Sequence, residues 1–222
     1  MNVEPGQEGA APTVLVSGGK AYTLNSVPGW RLRGQPVATI EGREYRSWSP
    51  YTSKLAAFLL SGGDLSPLTD PGAVLYLGAS YGTTVSHLAD IAPSATIYAV
   101  EFSRKPYMEL RKVAAVHAGV IPLLEDARFP EKYRAMVSSP SVLVQDVAQK
   151  NAVGIMMKNA GAFGSIRHYF LSVKARSIDS SSEPEAVYAR VRERLEGETG
   201  RRATLTDISR FEKDHVILSG SF

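Results

Sequence analysis

The sequence contains no cysteine. Disulfides, cysteine nucleophiles and thiolate metal sites are therefore excluded, and an intracellular protein fits. No apolar run approaches the ~20 residues of a membrane span, and residues 1–12 (MNVEPGQEGAAP) lack the apolar core of a signal peptide. The chain has no Arg/Gly-rich tract and no long internal repeat. No histidine pair has a spacing such as H-x-x-x-H, so no metal site is expected. The dinucleotide fingerprint G-x-G-x-x-G is absent as well, which counts against a nicotinamide-dependent oxidoreductase. Neither sign of charge dominates. The formal charge of +3 is a mild basic bias, compatible with an anionic partner without requiring one.

What is present suffices for one sizeable core. The chain has 222 residues, of which 44% are hydrophobic and 21% charged, so general disorder is not expected. Residues 1–12 read as a disordered tail. Residues 13–50 read as a small N-terminal β domain. Its strands are expected at Thr13–Val16, Ala21–Leu24, Val37–Ile40 and Glu44–Trp48, separated by glycine-containing turns. A helix at Ser53–Leu60 follows, with Ser53 as N-cap. Residues 51–222 form the main domain. From Ala73 onward, strands alternate with helices: strands at Ala73–Leu77, Thr96–Val100, Val120–Leu124, Val142–Gln145, Ile166–Val173 and His215–Ser219, and helices at Thr84–Ile91, Lys105–Ala118, Ala152–Ala160 and Glu183–Glu196. Such alternation predicts an α/β fold with a parallel sheet covered on both faces.

In that fold, ligands bind beyond the carboxyl ends of the strands. The turn Gly78-Ala79-Ser80-Tyr81-Gly82-Thr83-Thr84 stands at such an end. Glycines there allow a sharp turn and close approach of a ligand, and the N–H groups opening the next helix favour an anionic group. Glu101 ends the second strand, 23 residues after Gly78. That is near the ~20-residue offset at which an acid meets ribose hydroxyls. After the third strand, Asp126 can accept from an adenine amino group, with a backbone N–H following it. The pattern fits adenosine with a short charged tail better than a dinucleotide.

Asp146 follows the fourth strand and Lys174 ends the fifth, which places both near the rim of the glycine turn. A lysine beside another cation or a dry wall can serve as a base, and an aspartate beside it can fix its position. His215 opens the last strand. His87, His117 and His168 are expected to be structural.

These residues resemble the fibrillarin family. The resemblance lies in Tyr45-Arg46-x-Trp48-x-Pro50-x-x-Ser53-Lys54-Leu55-Ala56-Ala57, in the stretch from Val74 through Gly78-Ala79-Ser80-x-Gly82-Thr83-Thr84 to His87, and in Tyr98-Ala99-Val100-Glu101-Phe102-Ser103. It continues through Glu125-Asp126-Ala127-Arg128, Asp146-Val147-Ala148-Gln149, Lys174-Ala175-x-x-Ile178-Asp179 and Asp214-His215, in family order over about residues 40–220. It implies a class I S-adenosylmethionine-dependent methyltransferase fold, a Rossmann-like seven-stranded sheet behind the small β domain. It implies RNA 2′-O-methylation of rRNA or tRNA, guided by a C/D-box RNA. The partners implied are a Nop-family scaffold protein, a kink-turn-binding ribosomal-type protein, the guide RNA and its target, with no membrane. The missing Arg/Gly-rich tract resembles the archaeal form, for which a cytoplasmic location is expected.

By matching motif, the catalytic positions are Lys54, Asp146, Lys174 and His215. The cofactor positions are Gly78, Ala79, Gly82, Thr83, Thr84, Glu101, Phe102, Asp126, Ala127, Asp146 and Gln149. The sequence departs from the family at Ser49, at Tyr81 inside the cofactor loop and at Lys150–Ile155. The resemblance suggests a mechanism in which Lys174 takes the proton of the 2′-hydroxyl, made partly neutral by Lys54 nearby. Asp146 orients Lys174 and the substrate, Lys54 holds the hydroxyl or a phosphate, and His215 completes the network. The alternatives are a small-molecule O-methyltransferase on the same fold and a non-catalytic subunit that only binds partners.

Overall fold

A computed structural model describes residues 11–222. Residues 1–10 of the expected tail lie outside the described residues. The first unit is a four-stranded antiparallel sheet of β1 (Val14–Ser17), β2 (Lys20–Leu24), β3 (Val37–Ile40) and β4 (Arg43–Trp48), in the order β1-β2-β4-β3. Two of its hairpins turn on two residues, Gly18-Gly19 and Glu41-Gly42. All four of these residues have positive φ, which matches the right-handed twist of the paired strands.

The second unit is a seven-stranded sheet in the order β10-β11-β9-β8-β5-β6-β7. Its strands are β5 (Ala73–Leu77), β6 (Thr96–Val100), β7 (Val120–Leu123), β8 (Val142–Gln145), β9 (His168–Lys174), β10 (Thr204–Asp207) and β11 (His215–Ser221). Six run in one direction, and β11 runs against them, antiparallel to both β9 and β10. Successive residues face opposite sides of a strand. Val74 and Tyr76 accordingly enter one core, with α1 (Lys54–Leu60), α2 (Thr83–Ile91) and α3 (Arg104–Ala114). Leu75 and Leu77 enter the other, with α4 (Ala152–Phe163) and α6 (Pro184–Thr199). The short α5 (Ala175–Ile178) follows β9 directly.

Three differences from expectation have physical causes. Strand β10 was not expected, because its residues are exposed or half-buried and carry no apolar run. It exists through ladder bonds to β11. Helix α3 ends at Ala114, not Ala118. The chain turns there so that Gly119 can pass the Ala95 carbonyl, where a Cβ would stand 2.4 Å away. Ser53 does occupy the N-cap position of α1, but its side chain makes no cap bond. Its hydroxyl instead accepts from Thr84 Oγ1 at 3.0 Å.

The two sheets are joined by a buried polar cluster. Arg46 of β4 and Asp90 of α2 pair at 2.6 Å, both side chains fully buried. Arg46 also donates to the Ser86 carbonyl and to Gln35 Oε1. Asp90 accepts from the hydroxyls of Thr23 and Ser26. The Thr23 proton is thus committed to Asp90, so His87 Nδ1–H must donate to Thr23 Oγ1 and its Nε2 accepts from the Gln35 amide. That assignment needs a neutral ring. Burial, reinforced by the Arg46 cation, holds His87 well below the usual 6.5. The ring stacks on Trp48. Burial also lowers His117, which packs edge-on against Trp30.

Removing one member of a buried ion pair leaves an unpaired charge. Arg46→Ala or Asp90→Ala is expected to cost about 3–5 kcal/mol, read as a lower denaturant midpoint. The histidines set an acid limit. Below about pH 6.5 the unfolded chain binds protons that His87 and His117 refuse in the fold, so stability falls with pH. The thermal midpoint should decline from pH 6.5 downward; a flat profile to pH 5 would contradict the neutral-ring assignment.

Candidate functional site

The glycine turn joins β5 to α2. Gly78 has φ +84, and a Cβ on it would lie 2.4 Å from the Asp146 carbonyl oxygen. Only glycine lets the β5 and β8 ends approach this closely. The N–H groups of Gly78 and Ala79 both donate to the Val100 carbonyl at 3.0 Å, so they bind the turn to β6. Gly82, also at positive φ, packs against Val113 and Leu110 of α3, where a Cβ would crowd them. These three positions shape the loop. Thr83 and Thr84 open α2, and their N–H groups have no acceptor within that helix.

Glu101 is buried at the end of β6. Its two oxygens accept from the Ser80 N–H at 2.8 Å and the Ser103 N–H at 2.7 Å. The carboxylate is thus fixed at the rim, with lone pairs remaining for a diol. Beside it opens a cleft lined by Gly78, Phe102, Asp126, Ala127 and Gln149 of the expected set. Val100, Val147 and Ile155 supply apolar walls, which the sequence reading had not placed in the site. Phe102 is largely exposed. Asp126 is clamped by Arg128, with Nη2 at 2.6 Å. The hydrogen bonds from Arg128 hold its carboxyl below the usual range. A donor approaching Asp126 therefore has to share it with Arg128.

The second part of the site gathers where α1 meets the ends of β8 and β11. Lys54 Nζ lies 3.0 Å from Asp146 Oδ1 and 3.4 Å from Glu212 Oε2. Burial disfavours the Lys54 charge, but the two carboxylates outweigh it and the ammonium titrates above its usual range. Lys54 is therefore a held cation. The same contacts correct one expectation, because Asp146 is engaged by Lys54 rather than by Lys174. Lys174 is exposed at the end of β9 and stands opposite His215 in the β9–β11 register. His215 is buried, with Nδ1 2.7 Å from the Lys213 carbonyl and Nε2 3.2 Å from Glu212 Oε1. The sequence reading did not single out Glu212; its one signal was a position three residues before His215. Tyr51 is exposed and packs edge-on against Phe211 at 5.9 Å, so an aromatic pair flanks Lys54 and Glu212 in the chain. Tyr81 carries the Arg33 guanidinium over its ring at 4.1 Å. Among the described residues, no group of three or more His, Asp or Glu is placed to hold a metal ion.

A seven-stranded sheet with this strand order, a glycine turn after β5 and an acid closing β6 define a class I methyltransferase fold. The sequence model of the fibrillarin family matches residues 13–222, and the chain belongs to that family. It is 38% identical to the fibrillarin-like rRNA/tRNA 2′-O-methyltransferase of Thermoplasma acidophilum, over 92% of this chain and 87% of that one. It is 40% identical to a Mus musculus RNA 2′-O-methyltransferase over 90% of this chain, and spans 66% of that relative's length. Among solved structures, Aeropyrum pernix fibrillarin with natively bound S-adenosyl-L-methionine superposes with a TM-score of 0.80 at 38% identity, covering 91% of this chain and 89% of that one. A fibrillarin/Nop5p complex gives 0.82 at 37% identity, covering 95% and 97%.

A methyl at position 78 meets both a forbidden φ and the Asp146 carbonyl. Gly78→Ala should cost roughly 1–3 kcal/mol in denaturant melts. A melt matching the wild type would show that the β5 and β8 ends do not meet as described.

Proposed function

We propose that the chain transfers a methyl group from S-adenosylmethionine to a ribose 2′-hydroxyl of rRNA or tRNA. The observation that carries this is the position of two built features on neighbouring strand ends: the Glu101 cleft and the Lys54–Asp146–Glu212–His215 cluster. They share Asp146, whose carbonyl touches Gly78 and whose carboxylate holds Lys54. The residues fit the cofactor. Apolar walls at Val100, Val147 and Ile155 suit a purine, Glu101 a ribose diol, and the start of α2 a carboxylate.

When bound, S-adenosylmethionine supplies an electrophilic methyl on a sulfonium. The chain's own task is to hold the hydroxyl in line and take its proton. Lys174 is the proposed base, being an exposed lysine at the end of β9, opposite His215 in the register. Lys54, kept charged by two carboxylates, is suited to hold the hydroxyl oxygen or an adjacent phosphate. Asp146 orients Lys54, and His215 completes the network through Glu212. Positioning of this kind can account for ~7–11 kcal/mol of a barrier. The exposed Tyr51 beside Phe211 offers an aromatic surface of the sort on which unpaired bases stack.

Target choice is assigned to a C/D-box guide RNA, with a Nop-family scaffold and a kink-turn-binding protein as partners. The fibrillarin/Nop5p complex supports the scaffold. The cytoplasm is the proposed compartment; among the described residues no helix is long and apolar enough to cross a membrane.

Calorimetry with S-adenosylmethionine and with NAD should show binding of the former alone. Glu101→Ala should weaken it at least ~10-fold, since a carboxylate hydrogen bond contributes ~1.5–3 kcal/mol. In the assembled guide complex, Lys174→Ala should lower methylation by roughly 10²–10⁴-fold. Wild-type methylation by that variant would remove Lys174 as the base.

A further inference from the structure

We propose that Glu212 is a positioning residue that holds Lys54 and His215 in place through one carboxylate. This rests on the reading of Lys54 and His215 as groups at the reacting hydroxyl. One oxygen, Oε2, lies 3.4 Å from Lys54 Nζ, and the other, Oε1, lies 3.2 Å from His215 Nε2. Glu212 thereby couples α1, which follows the N-terminal sheet, to β11 at the far side of β9.

The segment that carries it is anchored. The N–H groups of Phe211 and Glu212 both donate to the carbonyl of Ile208, itself fully buried. Two residues on, Asp214 takes a left-handed φ of 58, its carbonyl accepts from Ala175 N–H, and its carboxylate pairs with Arg176. The Glu212 backbone is therefore fixed on both sides, and its side chain reaches inward from a rigid base.

A carbonyl accepts and does not donate, so the contact of 2.7 Å with Lys213 O places a proton on His215 Nδ1. The Glu212 carboxylate lies beside the other ring nitrogen, 3.2 Å from Nε2. The other charged groups facing this ring are Lys54 from α1, which shares Glu212, and Lys174, opposite it on β9. Asp146 pairs with Lys54 on its other side. Glu212 is thus the group that spans the His215 ring and the Lys54 ammonium with one carboxylate.

The experiment is an NMR titration of the His215 ring in the full chain, needing neither cofactor nor RNA. Comparison with a His215→Asn spectrum identifies its signals among the four histidines. Glu212→Gln should lower the midpoint by about one pH unit, and Glu212→Asp, which keeps the charge, should restore part of it. In the guide complex, Glu212→Gln should lower kcat about 10-fold at unchanged S-adenosylmethionine affinity, with a matching displacement of the pH–rate profile. An unchanged ring midpoint in the glutamine variant would overturn the proposal, as would a displaced midpoint with wild-type kcat. A wild-type complex that fails to methylate, with the ring midpoint displaced as expected in the variant, would instead sink the functional reading and leave the Glu212 contact standing.

Discussion

The buried ion pair of Arg46 with Asp90 is the constraint on which the rest of the site depends. It joins the last strand of the small sheet to the helix that grows out of the glycine turn. An ion pair without solvent is costly unless its remaining hydrogen-bond positions are filled. Here Thr23, Ser26, Gln35 and Ser86 fill them, and a neutral His87 closes the set. Such a network has few alternative arrangements, so it fixes the angle at which β4 runs into α1. Lys54 follows Arg46 by eight residues, and Ser53 just before it meets the hydroxyl of Thr84 on α2. Lys54 therefore owes its place to a polar cluster well behind it.

Two carboxylates converge on Lys54, so its ammonium is stabilised. In the proposed function these fixed charges position the substrate, which suits a reaction whose electrophile comes with the cofactor. Lys174 is exposed at the end of β9, outside the two carboxylates that hold Lys54. In the proposed function the held lysine positions the substrate and the exposed one takes the proton.

Much of the fold is legible in the sequence because the central strands are buried on both faces and read as short apolar runs. Ala73–Leu77, Thr96–Val100 and Val142–Gln145 fall where the runs fall. Edge strand β10 has no such run, since ladder bonds to partners 9 to 15 residues away in the chain create it. The site divides along the same line. Gly78, Glu101 and Asp146 are legible because each sits at a strand end at a telling offset. Glu212 is not, because its importance comes from Lys54, far away in the chain and brought close only by the weld of the two sheets. The packing of Gly82 against Val113 and Leu110 of α3 was likewise hidden, since periodicity carries no record of it.

The most direct test of the account follows the methyl group itself. The guide complex would be assembled with methyl-labelled S-adenosylmethionine and a target RNA, and with the same target carrying a 2′-deoxyribose at the guided nucleotide. Nucleoside mass spectrometry should place the label on the ribose 2′-oxygen of that one nucleotide, and the deoxy target should take up none. Label on a base nitrogen, or equal labelling of the deoxy target, would contradict the assignment of the lysine–carboxylate cluster to a ribose hydroxyl.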